Sequence, residues 1–283
     1  SQQQTTPKQW LKPLRGPAWS YRTKARLSVK YVHKKEKLLV GFREKNPRYV
    51  ADIDQCPILE ATFGEKLPII SQCIESLSIK ERVPQIEIAC GDQEAALIIR
   101  HLEPLSADDQ SRLKTLGEDH QWHIYCQPKG IDTIHLLFSP NEQEELHYTL
   151  PEHNISMSFL PQQFTQVNRE INRAMLNQAM DLLELNSQDR VLDLFCGIGN
   201  FTLPIARQVA AVTGVEVDPS SIAQAKKNAQ LNHIKNTDFF ISNLFEVNQG
   251  ATFFSQSFNK ILLDPPRAGA KEIVPLLSHW KPT

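Results

Sequence analysis

The chain has 283 residues and a mass of 32.2 kDa, room for about two domains. Its 41% hydrophobic and 22% charged residues are those of a globular protein, and no apolar run approaches the ~20 residues of a membrane span. A net charge of −1 argues against a uniformly basic nucleic-acid binder and against a polybasic membrane anchor.

The distribution of that charge points the other way. Thirteen cations between Lys8 and Arg48 are opposed only by Glu36 and Glu44, leaving +11 there and −12 over the rest of the chain. Such a patch can neutralise phosphates locally. Trp19, Tyr21 and Tyr31 are interleaved with its arginines, and their rings suit stacking on unpaired bases. A solvated strand surface accounts for some of these lysines but not for the aromatics. The first residues, Ser1 to Thr6, form no charged-then-apolar signal, so the cytoplasm is the expected location. The lack of an initiator Met is what a chain beginning inside a longer product would show. Five cysteines, Cys56, Cys73, Cys90, Cys126 and Cys196, are widely spaced with no C-x-x-C. That spacing makes neither a disulfide framework nor, by itself, a zinc site.

In chain order, residues 1–18 read as a tail or linker. From Tyr21 to Tyr31 the residues alternate, which predicts a strand with Arg22, Lys24 and Arg26 on one face. Residues 37–42 pair with it after a charged turn. Phe63, Leu67, Ile70 and Ile74 predict one helix reaching Leu77, and Glu87–Cys90 with Ala95–Arg100 predicts a hairpin. Ser106, with Asp108 and Asp109 in the first turn, caps a helix to about Leu116. Strands at 122–125, 133–138 and 155–159 complete a strand-rich α+β domain over residues 19–160. A joint at Pro161–Asn168 and a helix from Arg169 to Leu183 lead into residues 161–283, where strand and helix alternate as in a parallel sheet.

The densest information lies at Val191–Asn200. An apolar strand ends in Gly197 and Gly199, and a helical pattern follows to Arg207. Two glycines spaced this way are an ordinary tight turn when they stand alone. Here the next strand, Ala211–Glu216, ends in an acid that can take the two hydroxyls of a ribose. A third strand, Thr237–Ile241, is followed by Asn243, whose amide offers a donor and an acceptor to a base edge. A fourth, from Phe258, ends in Asp264 and a diproline. A dinucleotide site would show a third glycine, but Thr202 occupies that position.

Asp193 with the glycine turn, Glu216 and Asp264-Pro-Pro resembles the Rossmann-like S-adenosylmethionine-dependent methyltransferases. Gln55-Cys-Pro-Ile-Leu59, Phe164-Thr-Gln-Val-Asn168, Leu192–Leu203, Gly214-Val-Glu216 and Leu262–Gly269 together resemble the RNA uracil-5-methyltransferase family, as does Tyr21–Ser28. The branch acting on 23S ribosomal RNA fits best. The transfer-RNA branch, or a non-catalytic RNA- or cofactor-binding fragment, is the alternative. The resemblance implies cofactor contacts at Gln166, Phe195, Asn200, Glu216, Asn243 and Asp264, beside the turn at Gly197 and Gly199 where a ligand can approach the backbone; RNA contacts are expected at Arg22, Lys24 and Arg26 of the basic strand and at Phe164. It implies a [4Fe–4S] cluster in the full-length protein with Cys56 as one ligand, the other three falling upstream of this chain.

The chemistry implied needs a thiolate that adds to uracil C6, so that C5 can attack the sulfonium methyl, and a base that then removes the C5 proton. The family's thiolate motif falls after Thr283, so this chain is expected to be inactive by itself. Cys196, beside the glycine turn, reads as pocket wall rather than as nucleophile. The sheet is expected to be incomplete, with strand order 3-2-1-4 and an open edge at Lys260–Asp264 that pairs with a second copy or retains a C-terminal piece.

Overall fold

A computed structural model describes residues 10–246 and 250–282. Lys8, the first cation of the basic segment, lies outside the described residues. Strands β1 (Lys24–Val32) and β2 (Lys37–Gly41) pair antiparallel, Ser28 facing Gly41. In β1 the alternation buries Ala25, Leu27 and Val29 and turns Arg26 and Lys30 outward.

The expected single helix to Leu77 is instead two: α1 (Ala61–Gly64) and α2 (Leu67–Glu75). Pro68 explains the break, because proline has no N–H to give a helix interior but suits a first turn. Strands β3 (Gln85–Cys90) and β4 (Ala95–Arg100) form the expected hairpin. Helix α3 (Ala107–His120) starts as expected: Ser106 Oγ accepts from Asp109 N at 3.1 Å, and Asp109 Oδ2 accepts from Ser106 N at 3.0 Å. It runs past Leu116 until Gln121 turns left-handed at φ 56°. Strands β5 (Trp122–Gln127) and β6 (His135–Phe138) finish a six-stranded sheet, ordered β2-β1-β3-β4-β5-β6. Within it β4 and β5 run parallel, bridged by α3, so the sheet is mixed. Phe63, Leu67, Ile70, Ile74 and Leu113 pack with Trp122 in the core beneath it.

The sequence pattern did not predict β7 (Leu146–Leu150), which pairs antiparallel with β8 (Ile155–Phe159) as a separate two-stranded sheet. This hairpin is packed on both sides. One core cluster joins Ala96, Ile98 and Tyr125 of the first sheet to Tyr148, Met157 and Phe159 of the hairpin, and onward to Leu176, Val191 and Leu203.

Helix α4 (Arg169–Leu183) is N-capped by Asn168, whose Oδ1 accepts from Ile171 N at 3.0 Å. After it come β9 (Arg190–Leu194), α5 (Thr202–Ala206), β10 (Ala211–Glu216), α6 (Pro219–Leu231), β11 (Thr237–Ile241) and β12 (Lys260–Leu263). Their strands form a parallel sheet ordered β11-β10-β9-β12, which is the expected 3-2-1-4. Beyond β12, Val274–His279 form a 3-10 segment. Pro275 would set its ring against the carbonyl four residues back, which bars an α-helix there. Trp280 instead stacks on Phe254, ring centroids 4.8 Å apart.

Candidate active site

In an open parallel sheet a ligand enters at the carboxyl ends of the strands, where the strand order reverses. Here the reversal is at β9, flanked by β10 on one side and β12 on the other. The turn after β9 is tightly wound. Phe195 N and Cys196 N both donate to Val215 O, at 2.9 and 3.1 Å, and φ is positive at Phe195 (66°), Gly197 (53°) and Gly199 (94°). A phenylalanine in this region is strained by about 1–3 kcal/mol, a cost that clusters at functional sites. A side chain at Gly197 would meet nothing within 4 Å, so its Cα faces open space.

Three acids end three adjacent strands. Glu216 is turned toward backbone donors: Oε2 accepts from Gly197 N at 3.2 Å, and Oε1 from Val217 N at 2.7 Å and Asp218 N at 3.2 Å. Asp193 is buried (1% exposed) and accepts from Thr202 Oγ1. Burial raises its pKa to about 7; the Thr202 hydrogen bond opposes the shift, and the charges of Asp264 and Glu216 add to it. Asp264 is exposed as a residue, yet desolvation by the protein around its carboxyl raises its pKa as well.

The other expected cofactor residues surround this mouth in part. Asn243, just past β11, accepts from Phe245 N at 3.0 Å through Oδ1. Phe195 and Phe245 lie with ring centroids 5.8 Å apart. Asn200 is engaged by Tyr148 and Asn172, and Gln166 lines a small cavity with the same two residues. Neither Tyr148 nor Asn172 was singled out from the sequence. Asn172 left a signal, a polar residue in the buried stripe that continues with Leu176 and Met180. Tyr148 lay in the strand that was not predicted.

The cysteines divide clearly. Cys196 is buried, its thiol pushed well up by desolvation and by Asp193 and Glu216. A Cβ on Gly214 would come within 2.9 Å of its sulfur, so the thiol fills the space this glycine leaves. Cys56 is buried in a loop where its N–H donates to Gly64 O at 2.8 Å. Among the described residues no group of three or more Cys, His, Asp or Glu is arranged to hold a metal. A lone thiol does not fit a four-thiolate cluster.

The cationic face is not uniform. Lys24 turns into the joint, where Nζ donates to Gln163 O, and desolvation lowers its pKa to about 8. Arg22 is half-buried, with a buried Nε that finds no partner among the described residues. Arg26 is exposed and pairs with Glu87 at 2.8 Å. Phe164 is 71% and Trp19 64% exposed, as ring surfaces for stacking would be. Among the described residues no helix is long and apolar enough to cross a membrane.

A family model described as tRNA (Uracil-5-)-methyltransferase matches residues 8–281. The chain belongs to this family. It is 42% identical over 279 residues to the 23S rRNA (uracil(1939)-C(5))-methyltransferase RlmD of Legionella pneumophila, covering 98% of this chain and 63% of that protein. The RlmD of Francisella tularensis is 45% identical over 271 residues, covering 94% of this chain and 60% of the relative. The chain thus spans under two thirds of the length of these relatives. Among solved structures, the Pyrococcus abyssi tRNA (uracil-54, C5)-methyltransferase in complex with S-adenosyl-L-homocysteine superposes with a TM-score of 0.72. It is 21% identical and covers 94% of this chain and 65% of that one, a likeness of fold. In this chain the glycine turn follows β9, Glu216 ends β10 and Asp264 follows β12.

Proposed function

We propose that this protein binds S-adenosylmethionine at the carboxyl ends of β9, β10, β11 and β12, and serves methyl transfer to C5 of a uridine in 23S ribosomal RNA. The observation that carries the reading is the convergence of Asp193, Glu216 and Asp264 beside a strained glycine turn at the switch point of the sheet. Identity of 42–45% to two RlmD proteins supports ribosomal RNA as the substrate class.

S-adenosylmethionine supplies an electrophilic methyl on a positively charged sulfur. Glu216, held by three backbone N–H groups, keeps lone pairs in place for ribose hydroxyls. Phe195 and Phe245 offer an apolar wall, and the Asn243 amide meets a base edge. Asp264, exposed just past β12, favours the sulfonium over the neutral thioether left after transfer, which promotes product release. RNA approaches along Arg26, Trp19 and Phe164, the exposed members of the basic and aromatic set.

Uracil C5 becomes nucleophilic only after a thiolate adds to C6. Cys196 is unsuited to that role, because a buried thiol held in its protonated form is a poor nucleophile. These 283 residues are therefore expected to bind cofactor without turnover. The test is incubation with methyl-labelled S-adenosylmethionine and, separately, a 23S fragment and a transfer RNA. Label transfer by this chain would contradict the assignment of Cys196 as pocket wall. Cofactor retention with the 23S fragment bound more tightly than transfer RNA would support the reading.

A further inference from the structure

The Asn200 carboxamide is held from behind by two side chains from different parts of the fold. Its Oδ1 accepts from the Tyr148 hydroxyl at 2.9 Å and from Asn172 Nδ2 at 3.0 Å. Its Nδ2 donates to Asn172 Oδ1 at 2.8 Å. The two amides thus form a closed reciprocal pair, and one Nδ2 hydrogen of Asn200 is left over. Tyr148 and Asn172 are 9% and 5% exposed, so they are buried behind the glycine turn. Tyr148 comes from β7 and Asn172 from the first turn of α4, and both line the small cavity that Gln166 also lines.

We propose that Tyr148 and Asn172 are positioning residues for the cofactor, holding the Asn200 amide so that its remaining N–H is presented to the ligand. The inference rests on the cofactor reading above. A free asparagine side chain rotates about two bonds and presents either end of its amide. With three hydrogen bonds made on one side, that freedom is lost before the ligand arrives, and the ordering cost on binding falls with it. The arrangement also ties the cofactor turn to the hairpin that packs against the first sheet. The neighbour Thr149 is fixed there by Asp92 Oδ2, which accepts from its N at 2.9 Å and its Oγ1 at 2.8 Å. Burial raises the pKa of the Tyr148 phenol, so it remains a neutral donor at ordinary pH.

A purely structural hydrogen bond would change stability and leave affinity alone, and this distinguishes the two roles. Tyr148→Phe removes one oxygen and keeps the ring that meets Phe159 at 5.8 Å, so the fold is retained. Calorimetric titration with S-adenosylhomocysteine is expected to show affinity weakened about 3–10-fold in Tyr148→Phe and about tenfold or more in Asn172→Ala. In an Asn200→Ala background, adding Tyr148→Phe is expected to change affinity by less than about 2-fold, because the group it orients is gone. Wild-type affinity in both single variants, with only the melting temperature lowered, would overturn the proposal. So would an effect of Tyr148→Phe that persists undiminished without the Asn200 amide. Absence of binding by the unaltered chain would overturn the cofactor reading itself, and this inference with it.

Discussion

The outer edge of β8 and the outer edge of β12 pose the same problem and meet it differently. On β8, Ser156 N donates to Asn232 Oδ1 at 2.8 Å while Asn232 Nδ2 donates to Ser156 O at 2.6 Å. Two residues on, Ser158 N donates to Asn228 Oδ1 at 2.9 Å, and Ser158 O accepts from Asn228 Nδ2 at 3.1 Å and Gln224 Nε2 at 2.9 Å. Amides every four residues of α6 advance about 6 Å, close to the ~6.8 Å between alternate residues of a strand. The helix therefore serves as the missing neighbour strand. On β12 nothing comparable exists among the described residues: it pairs only with β9, and Ile261–Leu263 are partly exposed. Polar groups answered inside the chain close one edge, while the other keeps its outward groups without a strand partner among the described residues.

Breaking the closed edge is expected to have the largest effect. Asn228→Leu leaves Ser158 N and Oγ without the oxygen they share, fully buried, and should cost about 3 kcal/mol in urea unfolding. A loss under ~1 kcal/mol would mean that water or Gln224 replaces the ladder. Next comes the answered acid of the pocket. Glu216→Ala should weaken S-adenosylhomocysteine by about 1–3 kcal/mol by calorimetry, the range for leaving buried polar partners unpaired. An unchanged affinity would dismiss its ribose role.

Asp193 gives a pH signature. Its pKa is raised from 3.8 to about 7 in the fold, so the native state binds a proton that the unfolded chain releases. Its contribution to stability is present in full below pH 3.8 and is lost as pH rises through about 7. Asp193→Asn should flatten the difference in urea midpoint between about pH 5 and 8. A wild-type profile in the variant would assign the dependence to another group.

The open edge makes a smaller but distinctive prediction. Asp264 N donates to Leu194 O, so the N–H of Leu263, one residue earlier, points away from β9. We propose that this edge pairs with a second copy. Leu263→Pro removes the outward donor and should reduce concentration-dependent association seen by sedimentation. A chain that is monomeric at all concentrations, with or without the proline, would contradict edge pairing by a second copy. Smallest is Arg26→Ala, expected to lower the slope of log RNA affinity against log salt by about 0.7, one single-strand phosphate contact. No change in slope would assign Arg26 to its ion pair with Glu87 alone.

What was legible in the sequence is what is local. The limits of α4, β10 and β11 agree with their patterns because each is an apolar run closed by its own cap, turn or acid. The glycine turn was legible for the same reason. The break between α1 and α2 was readable from Pro68, but the apolar spacing from Phe63 to Ile74 outweighed it. Three features depended on partners far along the chain. Tyr148 is 52 residues from Asn200, and Ser158 is 70 from Asn228. Lys24 shares a strand face with Arg26, yet it is drawn to Gln163, 139 residues away. A period of two assigns a side chain to a face, not to what covers that face.

We propose that the ends of β9, β10, β11 and β12 form an S-adenosylmethionine site. Titration of the unaltered chain with S-adenosylhomocysteine in a calorimeter tests it most directly. Saturable heat with one site per chain is expected, weakened by Glu216→Ala and by Tyr148→Phe. Absence of binding heat up to about millimolar ligand, where even a −4 kcal/mol interaction half-saturates, would contradict it.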